Sequence, residues 1–143
     1  MAFKVTQTHV WAAEIEDQPG GLARKLAALA AAGANLECVI ARRKPEKPGT
    51  GVVFITPLKG KKVLTAAQAG GFHETQRVAT LKIEGSDRPG MGTRIAQAVG
   101  DAGISLRGMS AAVLGTKYVC YLAFDSEADA KQAAVALRAV GRK

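Results

Sequence analysis

Asp17-Gln18-Pro19-Gly20 and Asp87-Arg88-Pro89-Gly90 are one turn written twice, 70 residues apart in a chain of 143. Outward from the turns the likeness continues. Glu14, Arg24, Ala32, Gly33 and Leu36 recur at the same offset as Glu84, Arg94, Ala102, Gly103 and Leu106. Lys61, Ala66 and Ala69 recur as Lys131, Ala136 and Ala139. A period this long is neither a solenoid nor a propeller, so the chain is read as one small module used twice.

The second copy is the easier to parse. Val78 to Glu84 alternates, with Leu81 and Ile83 on one face, as a strand does. Pro89 and Gly90 end it and open a helix, because proline fits a first helical turn where its missing N–H has no partner anyway. Ile95, Ala98, Val99 and Ala102 keep a 3.6-residue period, and Gly103 stops the helix. Ser105–Leu114 and Lys117–Phe124 read as a hairpin turning at Gly115-Thr116. Ser126 then caps a helix running to about Val140. The first copy repeats the order: strand His9–Glu16, helix Gly20–Ala32, strands Asn35–Arg42 and Gly51–Thr56, helix Lys61–Ala69 and strand Phe72–Thr75.

These readings predict an α+β fold of two ferredoxin-like βαββαβ units, each an antiparallel sheet with both helices on one face. The expected domains are 1–75 and 76–143. The second copy, ending at Gly141-Arg142-Lys143, lacks residues for its last strand. Ala2 to Thr6 lies opposite Phe72 to Gln76 at the 70-residue offset, so the segment around Phe3–Val5 is expected to complete the second sheet. Each half would then take an edge strand that continues into the first strand of the other.

Composition sets the broad class. With 48% hydrophobic and 22% charged residues the balance is that of a globular protein. No apolar run approaches the ~20 residues of a membrane span, and no basic-then-apolar leader opens the chain, which suggests a cytoplasmic protein. Cys38 and Cys120 sit in apolar runs and read as reduced core thiols. The net charge of +8 bears on association rather than on activity. Its densest cluster, Arg42-Arg43-Lys44-Pro45-Glu46-Lys47-Pro48, reads as a solvated loop that could dock an acidic partner.

The residues of the repeat resemble the ACT domain: an acidic residue, a variable one, Pro-Gly, an alanine-rich helix ending in Gly, then a small polar residue opening a strand. The first copy carries Asp17-Gln18-Pro19-Gly20 and Gly33-Ala34-Asn35-Leu36; the second carries Asp87-Arg88-Pro89-Gly90 and Gly103-Ile104-Ser105-Leu106. The resemblance implies a non-catalytic regulatory protein that binds an amino acid or similar metabolite between paired domains, as a homodimer or with a separate metabolic enzyme, and needs no cofactor.

The chemistry of the turn suits such a ligand. A helix start presents unpaired amides and the positive end of a dipole to a carboxylate, and glycine allows close approach. Asp17 or Asp87 would take the ammonium group. The candidate site residues are therefore Asp17, Gln18, Pro19, Gly20, Gly21, Leu22 and Asn35 in the first copy. In the second they are Asp87, Arg88, Pro89, Gly90, Met91, Gly92 and Ser105. By resemblance, Asn35 and Ser105 reach a ligand across a domain interface. Gly92, where the first copy has Leu22, leaves room beside a ligand and favours the second copy. The same Asp-x-Pro-Gly is also a good strand-to-helix turn with no ligand at all.

Two other classes are disfavoured. RNA-recognition domains share the topology, but Lys117-Tyr118-Val119-Cys120-Tyr121-Leu122-Ala123-Phe124 lacks their glycines. An enzyme is not supported: His9 and His73 stand in strands without catalytic neighbours, and there is no zinc spacing or phosphate loop.

Overall fold

The computed structural model describes residues 2–75 and 79–142. Val78, the domain boundary at Gln76 and the terminal Lys143 lie outside the described residues. Eight strands and four helices are present among the described residues, in two four-stranded sheets. The chain divides into two compact units, His9–Thr75 on one side and Met1–Thr8 with Gln76–Lys143 on the other.

Strand β1 (Phe3–Thr8) lies in the split unit, and the His9–Thr75 unit runs β2 (Trp11–Glu16), α1 (Gly21–Ala31), β3 (Cys38–Arg43), β4 (Thr50–Thr56), α2 (Lys61–Ala69) and β5 (His73–Glu74). The strands stand β3-β4-β2-β5, all neighbours antiparallel. The core gathers Ala13, Val53 and Ile55 from the sheet with Leu29 and Ala67 from the helices and Phe72 beyond α2.

The split unit contains β6 (Ala79–Ser86), α3 (Met91–Asp101), β7 (Gly108–Leu114), β8 (Lys117–Phe124) and α4 (Glu127–Gly141). Its sheet runs β1-β6-β8-β7, with Phe3 opposite Gly85 and Thr8 opposite Thr80. The N-terminal strand thus takes the edge that the second copy leaves vacant, over six residues rather than three. Alternation along β8 is strict: Tyr118, Cys120, Leu122 and Phe124 are buried against Ile95, Val99, Ala130, Ala133 and Leu137. Ser126 caps α4, its hydroxyl accepting from the Asp129 amide at 3.1 Å. No helix among the described residues is long and apolar enough to cross a membrane.

The strands after α1 and α3 begin three residues later than the sequence suggests, at Cys38 and Gly108 rather than Asn35 and Ser105. The cause is the helix stop. Gly33 and Gly103 take positive φ of 90° and 75°, and the next amides turn back to the helix, Ala34 to the Leu29 carbonyl at 3.0 Å and Ile104 to the Val99 carbonyl at 3.2 Å. That six-to-one closure is a Schellman motif. It keeps the chain on the helix until Glu37 and Arg107 reach the sheet, donating to the Thr56 and Ala123 carbonyls at 2.9 and 2.8 Å.

Candidate functional site

Each Asp-x-Pro-Gly turn joins the central strand of its sheet to the first helix of its unit. Gly20 and Gly90 are the N-caps, with φ of 81° and 84°. A residue with a Cβ is strained there, so glycine is what lets the chain enter the helix at this angle. Neither helix has a side-chain cap or an acidic residue in its first turn. The aspartates do not cap. Their own amides donate instead to the opposite hairpin, Asp17 to the Gly49 carbonyl at 3.1 Å and Asp87 to the Thr116 carbonyl at 2.8 Å.

Around this shared backbone the two turns differ. In the His9–Thr75 unit, Arg43 Nε lies 2.9 Å from an Asp17 carboxylate oxygen. Gln18 donates its side-chain amide to Glu16, and Arg24 stands 3.7 Å from the same carboxylate. Gly21 has no room for a side chain: a Cβ there would meet the Glu16 carbonyl at 2.2 Å. Leu22 packs at the edge of the core. A cleft of about 450 Å³ opens beside the turn, lined by Glu14, Glu16, Gly21, Arg24, Lys25 and Thr50 among others.

In the split unit, Met91 occupies the place of Gly21 and is fully buried in the core. The surface above it is left to Gly92, whose missing Cβ would stand 3.4 Å from the Tyr118 hydroxyl and 3.7 Å from Met109 Cε. Sheet register sets Val113 opposite Tyr118, where the other unit sets Arg43 opposite Gly51. The wall facing Asp87 is therefore aromatic and aliphatic, whereas the wall facing Asp17 is cationic. Burial raises the Tyr118 phenol above its usual value, and nearby Cys120 and the charge of Asp87 add to the shift. Burial also pushes the Cys120 thiol up to about 11, although a hydrogen bond with Tyr118 opposes it. A thiol held protonated is not a nucleophile.

Asn35 and Ser105 stand at the far ends of α1 and α3 from the turns. Each helix has 11 residues, which at 1.5 Å per residue is roughly 16 Å. Within a unit, then, the structure does not bring them to Asp17 or Asp87. Asn35 instead lines a separate cleft of about 390 Å³ with Glu37, Pro57 and Lys59. Sequence reasoning missed Arg43, Tyr118 and Val113. Arg43 was within reach, because position 113 is its repeat partner and changes a cation to valine at an otherwise shared site.

The basic loop is largely neutralised within its own unit. Lys47 Nζ lies 3.0 and 3.1 Å from the two Glu14 oxygens, Lys44 lies 3.8 Å from one of them, and Arg43 is held by Asp17. The hydrogen bond from Lys47 holds the Glu14 carboxyl below the ordinary carboxylate range, with the charges of Lys47, Lys44 and Lys25 adding to it.

No protein-family model and no curated protein sequence matches the chain. Solved structures do match, over nearly all of it. The ligand-free regulatory subunit of aspartate kinase from Thermus thermophilus is 20% identical with a TM-score of 0.65, the match covering 99% of this chain and 96% of that one. A Bacteroides thetaiotaomicron protein is 11% identical with a TM-score of 0.75, covering 97% and 99%. Escherichia coli aspartokinase III, crystallised with aspartate and ADP, is 13% identical with a TM-score of 0.61, covering 99% of this chain and 33% of the kinase. At such identities the likeness is one of fold. With the doubled turn, the doubled helix stop and two sheets of one topology, it makes the architecture that of two ACT-type domains in tandem.

Proposed function

We propose that this is a non-catalytic regulatory protein that binds a free amino acid, or a small metabolite of the same zwitterionic type, at the Asp87–Gly92 turn. The observation that carries the reading is the start of α3 at Gly90, with no side-chain cap and Asp87 three residues before it. Amides at a helix start attract a carboxylate, and Asp87 offers a counter-charge for the ammonium group. Gly92 carries no side chain there, and the Tyr118 hydroxyl and Met109 Cε stand 3.4 and 3.7 Å from where a Cβ would lie. The equivalent turn at Asp17 is the poorer site, because its carboxylate already pairs with Arg43.

Ser105 and Asn35 can contribute only from another domain, which suits a homodimer. The matching aspartate kinase chain from Thermus thermophilus is described as a regulatory subunit; by analogy, the enzyme regulated here is a separate chain. A thermal-shift screen of the twenty amino acids tests the reading. A ligand at 100 times its dissociation constant should stabilise the protein by about 2.7 kcal/mol, and Asp87→Asn should remove most of that shift. A flat response to all twenty would overturn it.

A further inference from the structure

We propose that the helical layer of the His9–Thr75 unit is a docking groove for an acidic amphipathic helix of a partner protein. Helices α1 and α2 flank a groove of about 680 Å³, lined by five alanines, among them Ala28, Ala32, Ala66 and Ala69, together with Lys61 and Lys62. Alanines leave the helix backbones open to close approach, at the 8–10 Å axial separations typical of packed helices. Laying an apolar helix face into such a groove is a common mode of recognition.

The charge decides what kind of helix fits. Helix α1 carries Arg24 and Lys25, α2 carries Lys61 and Lys62, and neither contains an acidic residue. Lys59 lies two residues before α2. Arg24 has Glu16 at 3.7 Å and Lys25 donates to the Gly70 carbonyl. Among the described residues, Lys61 and Lys62 have no ion-pair partner, and both are exposed. They also sit on the first turn of α2, where the helix dipole adds to their positive field.

The split unit shows that this is not a requirement of the fold. There α3 carries both Arg94 and Asp101, and α4 carries Glu127, Asp129, Lys131 and Arg138. Lys61 keeps its counterpart in Lys131, but Lys62 is replaced by Gln132, whose amide donates across to the Ala102 carbonyl at 3.4 Å. One copy of the helix pair is bridged and balanced in charge. The other carries only cationic charge. The groove offers no aromatic side chain on which a nucleic-acid base could stack, so an acidic helix is favoured over a polynucleotide.

The test is a titration of the ¹⁵N-labelled full chain with a synthetic helical peptide bearing alanine and leucine on one face and glutamate on the other. A peptide with lysine for glutamate and a single-stranded oligonucleotide serve as comparators. The expected result is amide shifts confined to α1 and α2, with affinity falling about tenfold in the Lys61→Glu/Lys62→Glu variant, as two reversed surface pairs imply. Ala66→Gln, which fills the groove without changing its charge, should weaken binding as well. Absence of shifts at millimolar acidic peptide would overturn the proposal, as would equal binding of the lysine peptide. Tighter binding of the oligonucleotide at the same amides would also overturn it, in favour of a polyanion site. Shifts that appear with protein concentration alone would assign the groove to self-association.

Discussion

Arg43 Nε stands 2.9 Å from the carboxylate of Asp17, and 70 residues later its counterpart is Val113, set opposite Tyr118. A duplicated turn has thus kept its backbone and changed one wall. In one copy the acid is answered within the protein; in the other, on the proposed reading, a ligand answers it.

Removing the arginine should therefore convert one site into two. In Arg43→Val, calorimetric titration with the amino acid that stabilises the parent is expected to give about twice the stoichiometry, while Asp87→Asn loses binding by tenfold or more. The pair itself is largely exposed on the arginine side, so the substitution should cost less than about 1 kcal/mol of stability. Unchanged stoichiometry would show that Arg43 does not close the first site.

The N-terminal strand is held by close packing. A Cβ on Gly141 would lie 2.7 Å from the Phe3 ring, and one on Gly85 would lie 2.9 Å from Phe3 Cβ. The Phe3 ring also sits 5.1 Å from the Arg94 guanidinium. Gly141→Ala ends a helix with a better helix former, yet it should destabilise the protein by about 1–3 kcal/mol, because the added methyl meets the Phe3 ring and carbonyl. Urea denaturation measures the sign. A gain in stability would mean that β1 gives way easily. Deletion of residues 2–6 should be far more damaging, since it strips β6 of a neighbouring strand.

The core of the split unit converges on Phe124 and Leu137, both wholly buried. Leu137→Ala is expected to cost about 2–5 kcal/mol. Val135→Ala, on the same helix but 69% exposed, should change stability by no more than about 0.5 kcal/mol.

Two groups give opposite responses to pH. The Glu14 carboxyl is held below its usual value of 4.5 by Lys47. Its contribution is present above pH 4.5 and fades as acid protonates it in the folded state. Lys47→Ala should let the Glu14 titration, followed by NMR, return toward 4.5. Cys120 is raised from 9.0 to about 11, so its contribution is intact below pH 9 and declines from there toward pH 11, as the unfolded thiol ionises first. Chemical denaturation across that range should show a shallower decline in Cys120→Ala than in the parent. Equal slopes would mean that the thiol is not the group responsible.

Much of the architecture was legible because it is written twice. The offset of 70 aligned both turns and both helix stops, and the vacant edge of the second sheet directed attention to Phe3–Val5. Local signals also held: α2 spans Lys61–Ala69 and Ser126 is a cap. What periodicity could not reveal were contacts made across the sheet. Asn35 and Ser105 look like strand openings until Ala34 and Ile104 are seen turning back to the helix. The cations at 42–49 look like a free patch until Lys47 reaches Glu14 across 33 residues of sequence. The pairing of Arg43 with Asp17 depends on hairpin register, which the six residues between β3 and β4 do not disclose.

Phe3 packs against Gly141 and pairs with Gly85, so a strand made before the His9–Thr75 unit is anchored by a helix made well after it. Residues 9–75 have all their partners once α2 and β5 have emerged, and can settle early. The split unit cannot close until α4 is free, several seconds later at roughly 5–20 residues per second. Until then the sheet face that Ala130, Ala133 and Leu137 of α4 cover is exposed apolar surface on a nascent polypeptide, open to wrong contacts.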